Sequence, residues 1–290
     1  MRGSEEAGYL GGKRRRADPA LGSGGMMTVG AVRVGSLLKD WRQRRHLSQL
    51  ELALEAGVSA RHLSFVETGR SRPSADMVLH LAERLHVPLR DRNRLLLAAG
   101  YAPVFEQHAL DDPEMAAVRE TIRLVLDGHE PYPALVVDGA WEMLAANRAV
   151  ALLIEEVPPE LLAPPLNVLR ASLHPDGVAP RIVNLGEWRA HVFERLERQI
   201  AVSGDAALAS LLEELRAFPG PDAAPNARHD IAVPLRLASS VGELAFISVV
   251  ATFGTAVEIT ASELSIESFF PADQQTAEAV RSYVEALPPA

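Results

Sequence analysis

Between Leu47 and Arg70 the chain reads Leu-Ser-Gln-Leu-Glu-Leu-Ala-Leu-Glu-Ala-Gly-Val-Ser-Ala-Arg-His-Leu-Ser-Phe-Val-Glu-Thr-Gly-Arg. Here residue types and spacing can do chemistry. Ser48, with Glu51 three residues on, forms a capping box that opens one helix, and Gly57 can supply the positive φ of a sharp turn out of it. Ser59 caps a second helix. Ala53, four residues before Gly57, is small enough to let the two helices approach, while Leu52, Val58, Leu63 and Val66 fill the wedge between them. That is the pattern of a helix-turn-helix. Where such a motif meets DNA the chemistry is recognition rather than catalysis: base edges are read by side chains, and phosphates are held by helix starts and arginines.

Elsewhere the reactive groups do not cluster. Nine histidines are scattered, with no His-x-x-x-His or His-Glu-x-x-His pair. There is no cysteine, which excludes disulfides, thiolate metal sites and cysteine nucleophiles. A Gly-rich phosphate loop and a Gly-x-Ser-x-Gly elbow are also missing. We expect no metal, no cofactor and no enzymatic activity.

The elements that must position the recognition residues come from a chain of 290 residues, 48% hydrophobic and 23% charged, enough for two packed domains. The net charge of -9 argues against nucleic acid until it is divided along the chain. Residues 1–28 hold 5 basic and 3 acidic side chains, residues 29–100 hold 12 and 7, and residues 101–290 hold 12 and 28, giving +2, +5 and -16. Arg42, Arg44, Arg45, Arg61, Arg70 and Arg72 lie on or beside the docking elements, and the acidic remainder is repelled from phosphate. No apolar run approaches the roughly 18 residues of a membrane helix. Lys13-Arg14-Arg15-Arg16 is followed by Asp18, Pro19 and glycines instead of an apolar stretch, so the cytoplasm is the expected compartment.

Residues 1–28 are expected to be disordered. Residues 29–102 predict an all-α bundle of five helices. Val34, Leu37, Leu38 and Trp41 make one stripe, Gln49 opens the second helix and Ser59 the third, Ser74 caps the fourth, and Pro88 opens the fifth before Gly100. Residues 112–290 predict an α+β domain with one antiparallel sheet and flanking helices. A helix over 113–128 turns Met115, Val118, Ile122, Val125 and Leu126 to one side. Short strands over 133–138 and 141–145 meet at Asp138-Gly139, helices cover 147–154, 187–202 and 205–217, and strands cover 231–237, 243–252 and 264–270.

Ser-Gln-x-x-Leu-Ala, Ala-Gly-Val-Ser and Leu-Ser-x-x-Glu-x-Gly-Arg, with the trailing Pro73-Ser74, resemble the lambda repressor/Cro-type regulators known as the xenobiotic-response-element family. The resemblance spans 32–100 and implies that the third helix docks in the major groove. By that likeness Ala60, Arg61, Ser64 and Phe65 face base edges, with Arg61 able to bond guanine bidentately. Gln49 and Ser59 meet phosphate at helix starts, and Arg70 and Arg72 hold the backbone. Glu67 instead ties the bundle together by pairing with a helix-one arginine such as Arg42. A double-stranded, pseudo-palindromic operator and a homodimer set one helical turn apart are implied.

Trp141-Glu-Met-Leu-Ala-Ala-Asn147-Arg-Ala, Asn167-Val-Leu-Arg-Ala-Ser-Leu-His174-Pro-Asp-Gly, Asn184-Leu-Gly-Glu-Trp188 and Glu263-Leu-Ser-Ile-Glu-Ser-Phe-Phe-Pro-Ala-Asp273 resemble the MmyB-like ligand-binding domain. That likeness implies a PAS-like sheet with flanking helices and an apolar pocket, with a fatty acid as a proposed effector. Asn147, Arg148, His174, Arg181 and Trp188 are the candidate ligand contacts; Asn147 is equally a helix cap, His174 a turn residue and Trp188 core. The alternative is a second domain that only dimerises or binds other proteins.

Overall fold

The computed structural model describes residues 33–222 and 233–288. The extension expected to be disordered, and the first residues of the strand expected from Ile231, lie outside the described residues.

Five helices make the N-terminal bundle: α1 (Val34–Arg44), α2 (Gln49–Glu55), α3 (Ala60–Glu67), α4 (Ala75–Arg84) and α5 (Leu89–Ala98). Three are opened as their sequences require. Ser48, Ser59 and Ser74 each accept a backbone N–H from three residues on, and Glu51 closes the capping box by accepting the Ser48 N–H at 2.6 Å. Gly57 adopts φ +62°, the turn between α2 and α3 that a side chain would strain. Leu38, Trp41, Leu52, Leu63, Val66, Leu81, Leu85, Leu95 and Leu96 share one core. At its edge Arg42 grips Glu67 with two parallel bonds, Nε to Oε1 at 2.6 Å and Nη2 to Oε2 at 2.9 Å. This fork fixes α1 against the recognition helix, as the sequence suggested.

The C-terminal domain opens with a 3₁₀ turn (Pro113–Met115) that runs into α6 (Ala116–His129). Strands β1 (Ala134–Val137) and β2 (Met143–Ala146) form the hairpin. Its turn is held by Asp138 Oδ1, which accepts the N–H groups of Ala140 and Glu142, both at 2.9 Å. The helix expected over 147–154 is only a 3₁₀ turn, Arg148–Leu152. Then come α7 (Val168–Leu173), α8 (Leu185–Ser203), α9 (Ala206–Ala217), β3 (Leu235–Ser239), β4 (Gly242–Thr252), α10 (Ile259–Glu263), β5 (Ser265–Pro271) and α11 (Gln274–Ala286). Sequence reading missed α7 and α10, two short helices capped by Asn167 and Glu258.

The strands form one fully antiparallel sheet in the order β2-β1-β5-β4-β3, the PAS-like sheet with flanking helices that the resemblance implied. Helix α6 lays Ile122 and Leu126 on one face, against Ala134, Val136 and Ile266. Val125, expected to point inward with them, is 37% exposed at the margin of that contact. The opposite face carries Leu135, Val137, Phe246 and Phe269 into a larger core closed by residues of α7, α8, α9 and α11. Because both faces of β1 are covered, all four of its residues are buried, and the neighbouring β5 buries Ile266 on one face and Glu267 and Phe269 on the other.

Candidate DNA-binding face and ligand cavity

On α3, Ser59 Oγ accepts the His62 N–H at 3.1 Å, leaving Ala60 and Arg61 in the first turn. Arg61 is exposed and sits 5.4 Å from the Phe65 ring centre, while Arg70, also exposed, sits 6.0 Å from the same ring. Two guanidiniums thus flank one aromatic side chain. Ser64 is half-buried, and its carbonyl accepts the Thr68 hydroxyl at 2.7 Å. Gln49 and Arg72 are placed differently. Gln49 donates to Glu67 Oε2 at 2.8 Å, joining the Arg42 fork. Arg72 gives Nε at 3.1 Å and Nη2 at 2.9 Å to the Ala99 carbonyl and stacks on Tyr101. Both side chains are thus bonded within the bundle, Gln49 half-buried and Arg72 exposed.

Arg44 and Arg45, assigned by sequence to the docking side, turn instead to the C-terminal domain. Arg44 Nη1 donates to the Ser203 carbonyl at 3.2 Å and Arg45 Nη1 to the Val202 carbonyl at 3.1 Å. Those carbonyls end α8, where the helix leaves acceptors unpaired and its dipole favours cations. Arg45 also gives Nε to Leu85 and Nη2 to His86, at 2.9 and 3.1 Å. Burial, with the neighbouring Arg44 charge, lowers its pKa. A second clamp joins Arg90 of α5 to Glu263 at the end of α10. Of the six arginines counted toward phosphate, then, Arg61 and Arg70 are the two whose described partners leave them on the recognition side. The excess of +5 overstated the cationic face because composition does not record where each fork is already bonded.

Between the sheet and helices α7 and α8 lies a cavity of about 80 Å³, taken as the space open to the centre of a water-sized sphere. That is room for several waters or a short aliphatic chain, at about 10–15 Å³ per water on the same measure. The sheet contributes Leu135, Met143, Leu235 and Phe269. Val168 and Leu169 of α7, Val192 of α8, and Val150, Leu153 and Ile154 around the 3₁₀ turn complete an aliphatic wall. Polar groups gather on one side: Ser172, Trp188, His191, Arg195 and Glu267. Trp188 Nε1 donates to Ser172 Oγ at 3.0 Å, and Arg195 Nη1 donates to Glu267 Oε1 at 2.9 Å. The Arg195 guanidinium also lies 4.3 Å from the Trp141 ring. Burial first, then the Arg195 charge, lowers the pKa of His191.

Of the five candidate ligand contacts, Trp188 is in this wall and the other four are not. Asn147 is buried, with Oδ1 accepting the Ala134 N–H at 3.0 Å and Nδ2 donating to the Tyr132 carbonyl at 2.8 Å, so it pins the hairpin to the end of α6. Arg148 pairs with Glu130 at 2.8 Å. His174 accepts the Asp176 N–H at 3.0 Å, a turn contact, and packs edge-on against Phe218. Arg181 stands behind the wall, donating to the carbonyl of Leu153 with Glu155 at 3.6 Å. Sequence reasoning missed His191, Arg195 and Glu267. One signal was available for the last: Glu267 is two residues from Phe269, hence on the same face of the strand.

Two family models match the chain. Residues 118–282 match the MmyB-like transcription regulator ligand binding domain, and residues 38–91 match a helix-turn-helix. The chain is 37% identical over 57 residues, 20% of its length, to the ImmF control region 10 kDa protein of Bacillus phage phi105, of which 63% is covered. It is 42% identical over 53 residues, 18% of its length, to an uncharacterized HTH-type transcriptional regulator of Mycobacterium tuberculosis (strain CDC 1551 / Oshkosh), of which 38% is covered. The chain therefore spans less than two thirds of the length of these curated relatives.

Proposed function

The chain belongs to the MmyB-like family of transcription regulator ligand-binding domains, with a helix-turn-helix joined at its N-terminal side, and from that premise we propose that it is a regulator whose affinity for a DNA operator is set by a small apolar effector. One observation carries the coupling. Helix α8 supplies Trp188, His191, Val192 and Arg195 to the cavity, and its last carbonyls hold Arg44 and Arg45 of the DNA-binding bundle. A ligand that prefers one position of α8 therefore prefers one placement of the bundle, and differential affinity of this kind is what allostery requires.

In this reading α3 docks in the major groove of a duplex operator, with Arg61 on a base edge and Arg70 on phosphate. One bundle covers a half-site, so two copies bind a pseudo-palindrome as a homodimer. The effector is an aliphatic chain of fatty-acyl type, matched to the Leu, Val, Ile and Phe wall. No helix among the described residues is long and apolar enough to cross a membrane, and the protein works in the cytoplasm, where its operator lies.

The test is fluorescence anisotropy on a duplex selected from a randomised pool, titrated with straight-chain fatty acids and their neutral analogues. We expect operator affinity to change by about 5- to 150-fold at saturation. Unchanged affinity, with occupancy of the cavity confirmed by native mass spectrometry, overturns the coupling.

A further inference from the structure

The polar side of the cavity is not a vacant cation. Arg195 already donates to Glu267 at 2.9 Å, and Glu267, which lines the cavity, has a side chain only 6% exposed. His191 supplies no compensating charge near neutral pH, since burial and Arg195 both favour its neutral form. Arg181 is outside the wall and faces Glu155. A carboxylate entering this space would meet a charge sum of zero. Attraction to Arg195 is offset by repulsion from Glu267, and the loss of hydration stays uncompensated among aliphatic walls.

An uncharged head group avoids that penalty. A hydroxyl or primary amide can donate to the Glu267 carboxylate and accept from the guanidinium of Arg195, making charge-assisted bonds without adding charge. We propose that the cavity selects aliphatic molecules with an uncharged, hydrogen-bonding head group, and that Glu267 is the residue that turns carboxylates away. The inference rests on reading the cavity as the effector site, and it narrows the effector from fatty acids to their neutral relatives, alcohols or amides.

Isothermal titration of the full chain with octan-1-ol, octanamide and octanoate at pH 7.5 tests it. The two neutral compounds should bind at least about ten-fold more tightly than octanoate, a difference of one decade in Kd. In Glu267→Gln, which leaves Arg195 as an unpaired cation, octanoate should become the tightest of the three. The wild-type ordering decides by itself if that variant does not fold. Octanoate binding as tightly as octan-1-ol to the wild-type chain overturns the proposal while leaving the cavity a ligand site. Absence of binding by all three overturns the cavity reading, and this inference with it.

Discussion

Arg90 and Glu263 meet across the boundary between the two domains as a bidentate pair, with Nε and Nη2 each 2.8 Å from a carboxylate oxygen. Glu263 lies two residues before β5 begins, and β5 carries Glu267 and Phe269 into the cavity. Arg44 and Arg45 make the matching contact to α8. The bundle is therefore held by α8, which lines the cavity, and by α10, which leads within two residues into β5; α8 and β5 are bridged to each other by Arg195 and Glu267.

Reversing either charge should open the clamp between Arg90 and Glu263. The side chains are 37% and 29% exposed, so solvent screening holds their coupling to about 0.5–1 kcal/mol. A double-mutant cycle on thermal unfolding should return that value. In operator titrations, Arg90→Glu and Glu263→Arg should each weaken the ligand response, and the combined swap should restore it. A swap that behaves like the sum of the single changes would show that the pair does not couple the domains.

Arg61→Ala should cost about 1–3 kcal/mol and relax specificity at one base pair, whereas Arg70→Ala should weaken all duplexes alike and reduce the salt slope by about one. Binding measured on a panel of single-base variants at two salt concentrations separates these outcomes. Equal behaviour of the two variants would refute the division between base and phosphate.

Glu67→Ala should destabilise the bundle by about 3–5 kcal/mol, because it strands the Arg42 guanidinium in a site where the two side chains are 9% and 1% exposed. Gln49 loses its acceptor in the same step. Urea unfolding should show a lowered midpoint with little change in slope. A loss under 1 kcal/mol would mean that the Arg42 to Glu67 fork does not hold α1 on α3.

His191 should make the C-terminal domain acid-sensitive. Its folded-state pKa is lowered from 6.5, so near and below that value the unfolded chain binds more protons than the folded one. The contribution of the neutral ring is complete above about pH 6.5 and declines as pH falls through that value toward the folded pKa. Melting curves of the wild type should shift downward between about pH 7 and 5.5, and His191→Gln should flatten that part of the profile. An identical profile in the variant would assign the acid sensitivity to other groups.

The bundle was legible in the sequence because each of its signals is local. Ser48 and Glu51 are three residues apart, Gly57 follows the helix it stops, and the stripe from Val34 to Trp41 spans two turns. The sheet was legible in its last strands for the same reason. Cavity chemistry was not, since Arg195 and Glu267 are 72 positions apart and each looks ordinary where it stands. Arg195 lies on a long amphipathic helix. Glu267 shares a strand face with Phe269, but a carboxylate next to Ile266 reads as the solvent-facing residue of a one-sided sheet; with α6 covering Ile266 and α8 above the other face, the polar position points inward. The misplacement of Arg44 and Arg45 has a related cause: their acceptors are backbone carbonyls at Val202 and Ser203, which every residue type possesses.

That last property makes the seam between α1 and α8 indifferent to side-chain identity on the acceptor side. Replacing Val202 by alanine leaves its carbonyl where it was, and at Ser203 only the hydroxyl bonds to the Gln199 carbonyl and the Asp205 N–H would be lost, so a substitution scan of this turn would miss a working contact. What the seam measures is helix length. Adding or deleting one residue within α8 rotates its end by about 100° and moves it by about 1.5 Å, which swings the carbonyls out of reach of both guanidiniums. The end of α8 acts as a ruler, and single-residue insertions and deletions, more than substitutions, are the changes that would uncouple the two domains.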